Sequence, residues 1–173
     1  MFIRIKKING KQYAYLVNNT WKKRKKASRQ KTLQYIGRVI KLEKKSNARD
    51  GEDENIKSEP PQKIIKFLVE KELMAHGFIL QKNTWVKDGI KINLAKKEVK
   101  DQDNKDICLE MNNNFLCNYT IRKLLYFSPK GGLTKIEVGK ELAIAFEAAG
   151  IPIPKDLFVF LFQKIISEIE KTH

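Results

Sequence analysis

Cationic and aromatic side chains alternate through the first 41 residues in a pattern suited to gripping a phosphate backbone and the bases it carries. The residues able to do so are Arg4, Lys6, Tyr13, Tyr15, Trp21, the run Lys22, Lys23, Arg24, Lys25 and Lys26, then Arg29, Lys31 and Arg38. Lysine and arginine displace the counterions condensed on nucleic acid, and aromatic faces stack on exposed bases. The charge is segregated: residues 1–45 hold 15 Lys and Arg against one carboxylate, Glu43, whereas residues 46–173 hold 20 against 19. The net charge of +15 is therefore almost wholly local. A solvated basic face would explain the charge, but not its interleaving with aromatics. The pattern points to non-enzymatic nucleic-acid contact, with no catalytic residue, no cofactor and no metal. RNA and DNA both fit, because short basic β-ribbons bind either and no base-reading helix is evident.

Strands must position these side chains. Asn9-Gly10 between two alternating runs predicts a two-residue type I′ turn, since both central residues must take positive φ. That turn sets Lys6 opposite Tyr13, Arg4 opposite Tyr15 and Phe2 opposite Val17 on one face, with Ile3, Ile5, Ala14 and Leu16 on the other. Lys31 to Ile40 has the composition of a third strand, leaving Trp21 to Lys26 as a cationic loop. The fold class expected is α+β. A small, basic, three-stranded antiparallel sheet spans 1–42, a flexible linker 43–61, and a compact α+β module ending in helices 62–173. The linker's acidic cluster either folds back on the basic sheet or merely separates the two parts.

The segments Met1-Phe-Ile-Arg-Ile-Lys-Lys, Tyr13-Ala-Tyr-Leu-Val and Arg29 to Val39, with Gly37-Arg38, resemble the N-terminal leader of many insertion-sequence transposases. The resemblance implies a nucleic-acid-binding leader. It does not imply transposition, since that family's long catalytic domain with three carboxylates has no counterpart in the remaining residues.

Beyond the linker, apolar residues at near-helical spacing predict a helix over Gln62 to His76, ended by Gly77. Extended runs follow at Phe78 to Lys82, Thr84 to Leu94 with a hairpin turn at Asp88-Gly89, and Ile107 to Met111. The charged stretch Lys96 to Asp106 reads as a solvated loop. A helix over Tyr119 to Phe127 is capped by Asn118 or Thr120. Thr134-x-x-Glu137 opens another that closes at Gly150. Pro154 suits the first position of a last helix, Lys155 to Lys171. That helix, from Leu157 to Ile169, is apolar all round, so either it is buried between two layers or one side meets a partner, a second copy or another protein. The second alternative would make the chain an adaptor for a larger complex.

Residues 62–126 faintly resemble the opening of restriction-endonuclease-like nucleases. Glu70 or Glu72 stands on the helix, followed by Asp88-Gly-Ile-Lys-Ile-Asn93 and Cys108-Leu-Glu110-Met-Asn112. The resemblance implies a metal-dependent nuclease or an inactive relative, because Asn93 replaces a metal-binding Asp and Asn112 a Lys. A rival frame uses Asp88 with Glu98 and Lys100.

At 173 residues and 42% hydrophobic, the chain can build a genuine core. No apolar run approaches a membrane span and no export signal is evident, so no membrane partner and a cytoplasmic location are expected. Cys108 and Cys117 read as reduced, half-buried apolar residues, and His76 as the edge of the core.

Overall fold

Asn9 and Gly10 take φ of 49° and 76°, and the turn they make joins β1 (Phe2–Ile8) to β2 (Lys11–Lys22) in the expected register. The computed structural model describes residues 1–22, 27–45, 54–129 and 131–171. Among the described residues the fold is α+β, with four helices and two sheets. After β3 (Ala27–Lys41) and a 3-10 turn (Glu54–Ser58) comes α1 (Pro61–Ala75). A four-stranded antiparallel meander follows, β4 (Ile79–Gln81), β5 (Thr84–Lys87), β6 (Ile90–Asn93) and β7 (Glu98–Lys100). Then come β8 (Ile107–Met111), β9 (Asn114–Leu116), α2 (Asn118–Leu125), α3 (Lys135–Ala149) and α4 (Lys155–Lys171).

The expected three-stranded antiparallel sheet is instead the larger part of a five-stranded one, in the order β1-β2-β3-β8-β9. Strand β3 pairs antiparallel with β2, then runs parallel to β8 from Arg38 opposite Ile107 to Lys41 opposite Glu110. Two features make this joint. Val39 is buried and needs a neighbour on that side, and Gly37 lets the backbones touch. A Cβ at Gly37 would lie 2.3 Å from the Asp106 carbonyl oxygen and 2.7 Å from Ile107 Cα. The first two residues of the loop expected over Trp21 to Lys26 are strand instead. Trp21 and Lys22 belong to β2, opposite Ser28 and Ala27, because Asn18 to Thr20 continue the pairing; residues 23–26 lie outside the described residues.

Strand β8 separates two cores. Ile107, Leu109 and Met111 face the main one, with α1, the meander and the later helices, while Cys108 faces a smaller one with Ala14, Leu16, Ile36, Val39 and Cys117. The cysteines are thus fully rather than half buried, and both are free thiols.

Other expectations shift for local reasons. The loop read at Lys96 to Asp106 contains β7, whose Val99 is wholly buried and whose Val99 N–H donates to Asn118 Oδ1 at 2.6 Å. The cap of α2 is Cys117, not Asn118 or Thr120. Thr120 stands three residues on, and its hydroxyl oxygen accepts from the Cys117 N–H at 2.9 Å. Pro154 precedes α4, its carbonyl accepting the first helical bond from Phe158 N–H at 2.9 Å. The capping box is present at α3: Glu137 Oε2 accepts from the Thr134 N–H at 2.8 Å, and Gly150 closes the helix at φ 68°.

In α4, Leu161 and Ile165 are buried, Phe158, Phe160 and Phe162 half-buried, and Val159 44% exposed. No described helix is long and apolar enough to cross a membrane. Of the span 43–61, residues 46–53 and their acidic cluster lie outside the described residues. On either side, Lys45 N–H donates to the Ala75 carbonyl at 3.0 Å, and Ile56 packs against the main core.

Candidate functional site

A strand alternates its side chains between two faces, so the register decides which of the basic and aromatic residues meet. Arg4 and Lys6 on β1 stand opposite Tyr15 and Tyr13 on β2, which stand opposite Tyr35 and Arg38 on β3. These six share one face. The reverse face carries Ile3, Ile5, Ala14 and Leu16 into the smaller core, so burial on one side fixes exposure on the other.

Tyr35 was not among the residues singled out from sequence. It lies three positions before Arg38, which in a regular strand would put it on the opposite face. Register shifts between Ala14 and Tyr15 and between Leu16 and Val17 leave Ile36 and Leu33 as extra residues of β3, and the first of these bulges turns Tyr35 to the side of Arg38. There it is the hub of the aromatic set: its ring centroid is 5.4 Å from that of Tyr15 and 6.4 Å from that of Tyr13, both tilted. Partial burial, then the neighbouring Tyr13 and Tyr15 phenols, hold its own phenol above the ordinary value. Lys6 Nζ lies 4.7 Å above the Tyr15 ring. Arg4 donates to Gln30 Oε1, a bridge spanning the position of Val17, which has no exposed surface.

Beyond the end of β1, β2 and β3 continue as a two-stranded ribbon, Asn18 to Lys22 against Ala27 to Lys31. Trp21 is 63% exposed there, on the tyrosine side of β2. Arg29 and Lys31 are exposed too, but on the ribbon's reverse side, opposite Thr20 and Asn18. Lys22 is the last residue of β2, while Lys23, Arg24, Lys25 and Lys26 lie outside the described residues. The fold therefore joins Arg4, Lys6, Tyr13, Tyr15 and Arg38 with Tyr35 in one surface, continues it to Trp21, and leaves Arg29 and Lys31 on the back of the ribbon. Among the described residues, none of Arg4, Lys6, Arg29, Lys31 or Arg38 forms an ion pair with a carboxylate.

The carboxylates considered from sequence are placed differently. Glu72 is buried in α1 and its Oε1 accepts from Asn112 Nδ2 at 2.7 Å; Lys44 Nζ is 3.3 Å and His76 Nδ1 3.2 Å away. Asn112 also donates to the Gly150 carbonyl at 2.8 Å, so this cluster ties α1, the β8–β9 turn and the end of α3 together. His76 is 1% exposed, well inside the core edge expected for it. Glu70 lies 3.7 Å from Lys66 on the same helix. Asp88 and Glu98 are at opposite ends of β6, the one in the turn before it and the other opposite Asn93. Lys100 pairs with Asp106 at 3.2 Å, and Glu110 stands beside Lys41 at the parallel joint. Among the described residues, no three His, Cys, Asp or Glu side chains gather where they could hold a metal ion. The hydrogen bond to Cys117, with burial, pushes the Cys108 thiol well above its ordinary value.

No family model matches the chain, and no curated protein or solved structure does either.

Proposed function

We propose that the chain is a non-enzymatic nucleic-acid-binding protein whose N-terminal sheet and ribbon grip the phosphate backbone of RNA or DNA. One observation carries the reading. Arg4, Lys6 and Arg38 share an exposed face with Tyr13, Tyr15 and Tyr35, and no carboxylate among the described residues neutralises them. Unbalanced cations repel one another, and a polyanion relieves that repulsion while releasing counterions of its own. The ribbon extends the basic surface beyond β1, with Trp21 on the tyrosine side and Arg29 and Lys31 on its reverse.

Salt titration of binding by the full chain tests this. The logarithm of the binding constant should fall linearly with the logarithm of salt concentration, with a slope of about −0.9 per phosphate neutralised on duplex DNA. Changing Arg4, Lys6 and Arg38 together to Gln should flatten that slope by close to three phosphates' worth. An affinity independent of salt in the parent chain would sink the proposal.

A second reading, an adaptor that docks through α4, is supported by the exposure of Val159 beside half-buried Phe158 and Phe160. Val159→Glu should then abolish self-association or the recovery of a specific partner without lowering thermal stability. A chain that is monomeric and partnerless before the substitution refutes it.

A further inference from the structure

The two forms of nucleic acid offer a sheet face different things. A duplex displays phosphates and hides both faces of every base within its stack, so protein rings can stack only on bases outside the pairing. On this sheet the rings lie in a row. Tyr13, Tyr15 and Trp21 fall on one side of the same strand, a track of about 27 Å at roughly 3.4 Å per residue. Tyr35 stands next to Tyr15 across the strands, and Arg4, Lys6 and Arg38 flank the tyrosines.

We infer that this track takes unpaired nucleotides, as single-stranded RNA or DNA or an open loop of either, in preference to duplex. The inference rests on the nucleic-acid reading above and names the form of ligand which that reading leaves open. Tyr35 is the principal stacking surface. It is 53% exposed, whereas Tyr13 and Tyr15 are only partly so, and Lys6 already lies over the Tyr15 ring at 4.7 Å. A bound strand would draw Lys6 from that ring to a phosphate, opening Tyr15 for a second base. Arg29 and Lys31, on the reverse of the ribbon, add backbone attraction without stacking. They should strengthen both forms of ligand alike.

The test compares full-length protein bound to short single strands of RNA and of DNA, without self-complementarity, and to the matching duplexes, all at one salt concentration. Both single strands should bind more tightly than their duplexes. Tyr35→Ala should weaken single-strand binding by roughly 5- to 150-fold, the range for loss of one base–aromatic stack, and leave duplex binding within about twofold. Tyr35→Phe keeps the ring and should behave as the parent, and an unfolding midpoint of Tyr35→Ala equal to the parent's shows that its loss is not a folding defect. Equal or tighter duplex binding overturns the inference, as does a Tyr35→Ala loss that is the same for both forms. Either result leaves the nucleic-acid reading intact; failure of every probe to bind overturns both.

Discussion

Four lysines of the body and the cations of the N-terminal sheet are similar side chains in opposite circumstances. In the body, Lys63, Lys66, Lys100 and Lys135 lie 2.8–3.7 Å from Glu59, Glu70, Asp106 and Glu170. In the sheet, Arg4, Lys6, Arg29, Lys31 and Arg38 have no such partner among the described residues. Exposed ion pairs add little stability, so the difference is not chiefly one of folding energy. It is one of residual field. A chain whose acids nearly match its bases in one region, 19 against 20 over residues 46–173, and number one against 15 in the other leaves the second region attractive to an external anion. The two regions also differ in what lies beneath: a broad core under the helices, a small one under the sheet.

The largest expected effect sharpens this contrast. Replacing Arg4, Lys6 and Arg38 by Glu should lower nucleic-acid affinity by roughly a hundredfold or more at moderate salt. The same reversal at Lys63, Lys66 and Lys135 should change it by less than about threefold, because those charges are already paired with carboxylates and stand on helices rather than on the basic face. Binding isotherms of the two triple variants decide it; equal losses would erase the distinction between the regions.

Next comes the joint between the regions. Gly37→Ala forces a Cβ against the backbone of Asp106 and Ile107 and should destabilise the chain by about 1–3 kcal/mol, read by urea unfolding. Glu72→Ala removes the carboxylate that accepts from Asn112 Nδ2, which keeps the Gly150 carbonyl, and that pairs with Lys44, and should cost a similar ~1–3 kcal/mol. Nucleic-acid affinity of the folded Glu72→Ala protein should stay as in the parent, and a specific loss of binding there would move the functional centre into the body.

The smallest effects belong to the helices. Thr134→Ala removes the cap of α3 and should cost about 1 kcal/mol. Hydrogen bonds from the Thr134 backbone and hydroxyl hold the Glu137 carboxyl below its ordinary value. The stability it contributes is present above the ordinary carboxylate range and is lost as pH falls through the depressed folded value. The slope of unfolding stability against acid pH should therefore be slightly shallower in Glu137→Gln than in the parent.

Much of the fold was legible where the signal is local. The Asn9-Gly10 turn imposes its own geometry, and a register once set by a turn propagates along both strands. The Thr134 to Glu137 capping box and the Gly150 stop read equally well, since their partners are within four residues. The short strands β7 and β9 were not legible. Three residues with a single buried side chain, Val99 in one and Leu116 in the other, carry no period to detect. The candidate surface was legible on β1 and β2 and incomplete on β3, because a bulge cancels the alternation from which Tyr35's side would be deduced.

The sequence by itself determined that charge and aromatics are concentrated in the first 41 residues, that the first two strands pair as they do, and where α3 begins and ends. Those are matters of composition and of contacts between near neighbours. Tertiary structure alone decided that β3 runs parallel to β8 across some 65 intervening residues, that Cys108 and Cys117 meet under the basic sheet, and that Glu72 is held by Asn112. Contacts between distant parts of a chain follow from which apolar faces can be buried together, and many partners satisfy that demand equally well until the whole core is packed. Packing Ile3, Ile5, Ala14 and Leu16 inward is also what turned Arg4, Lys6, Tyr13 and Tyr15 outward onto one face.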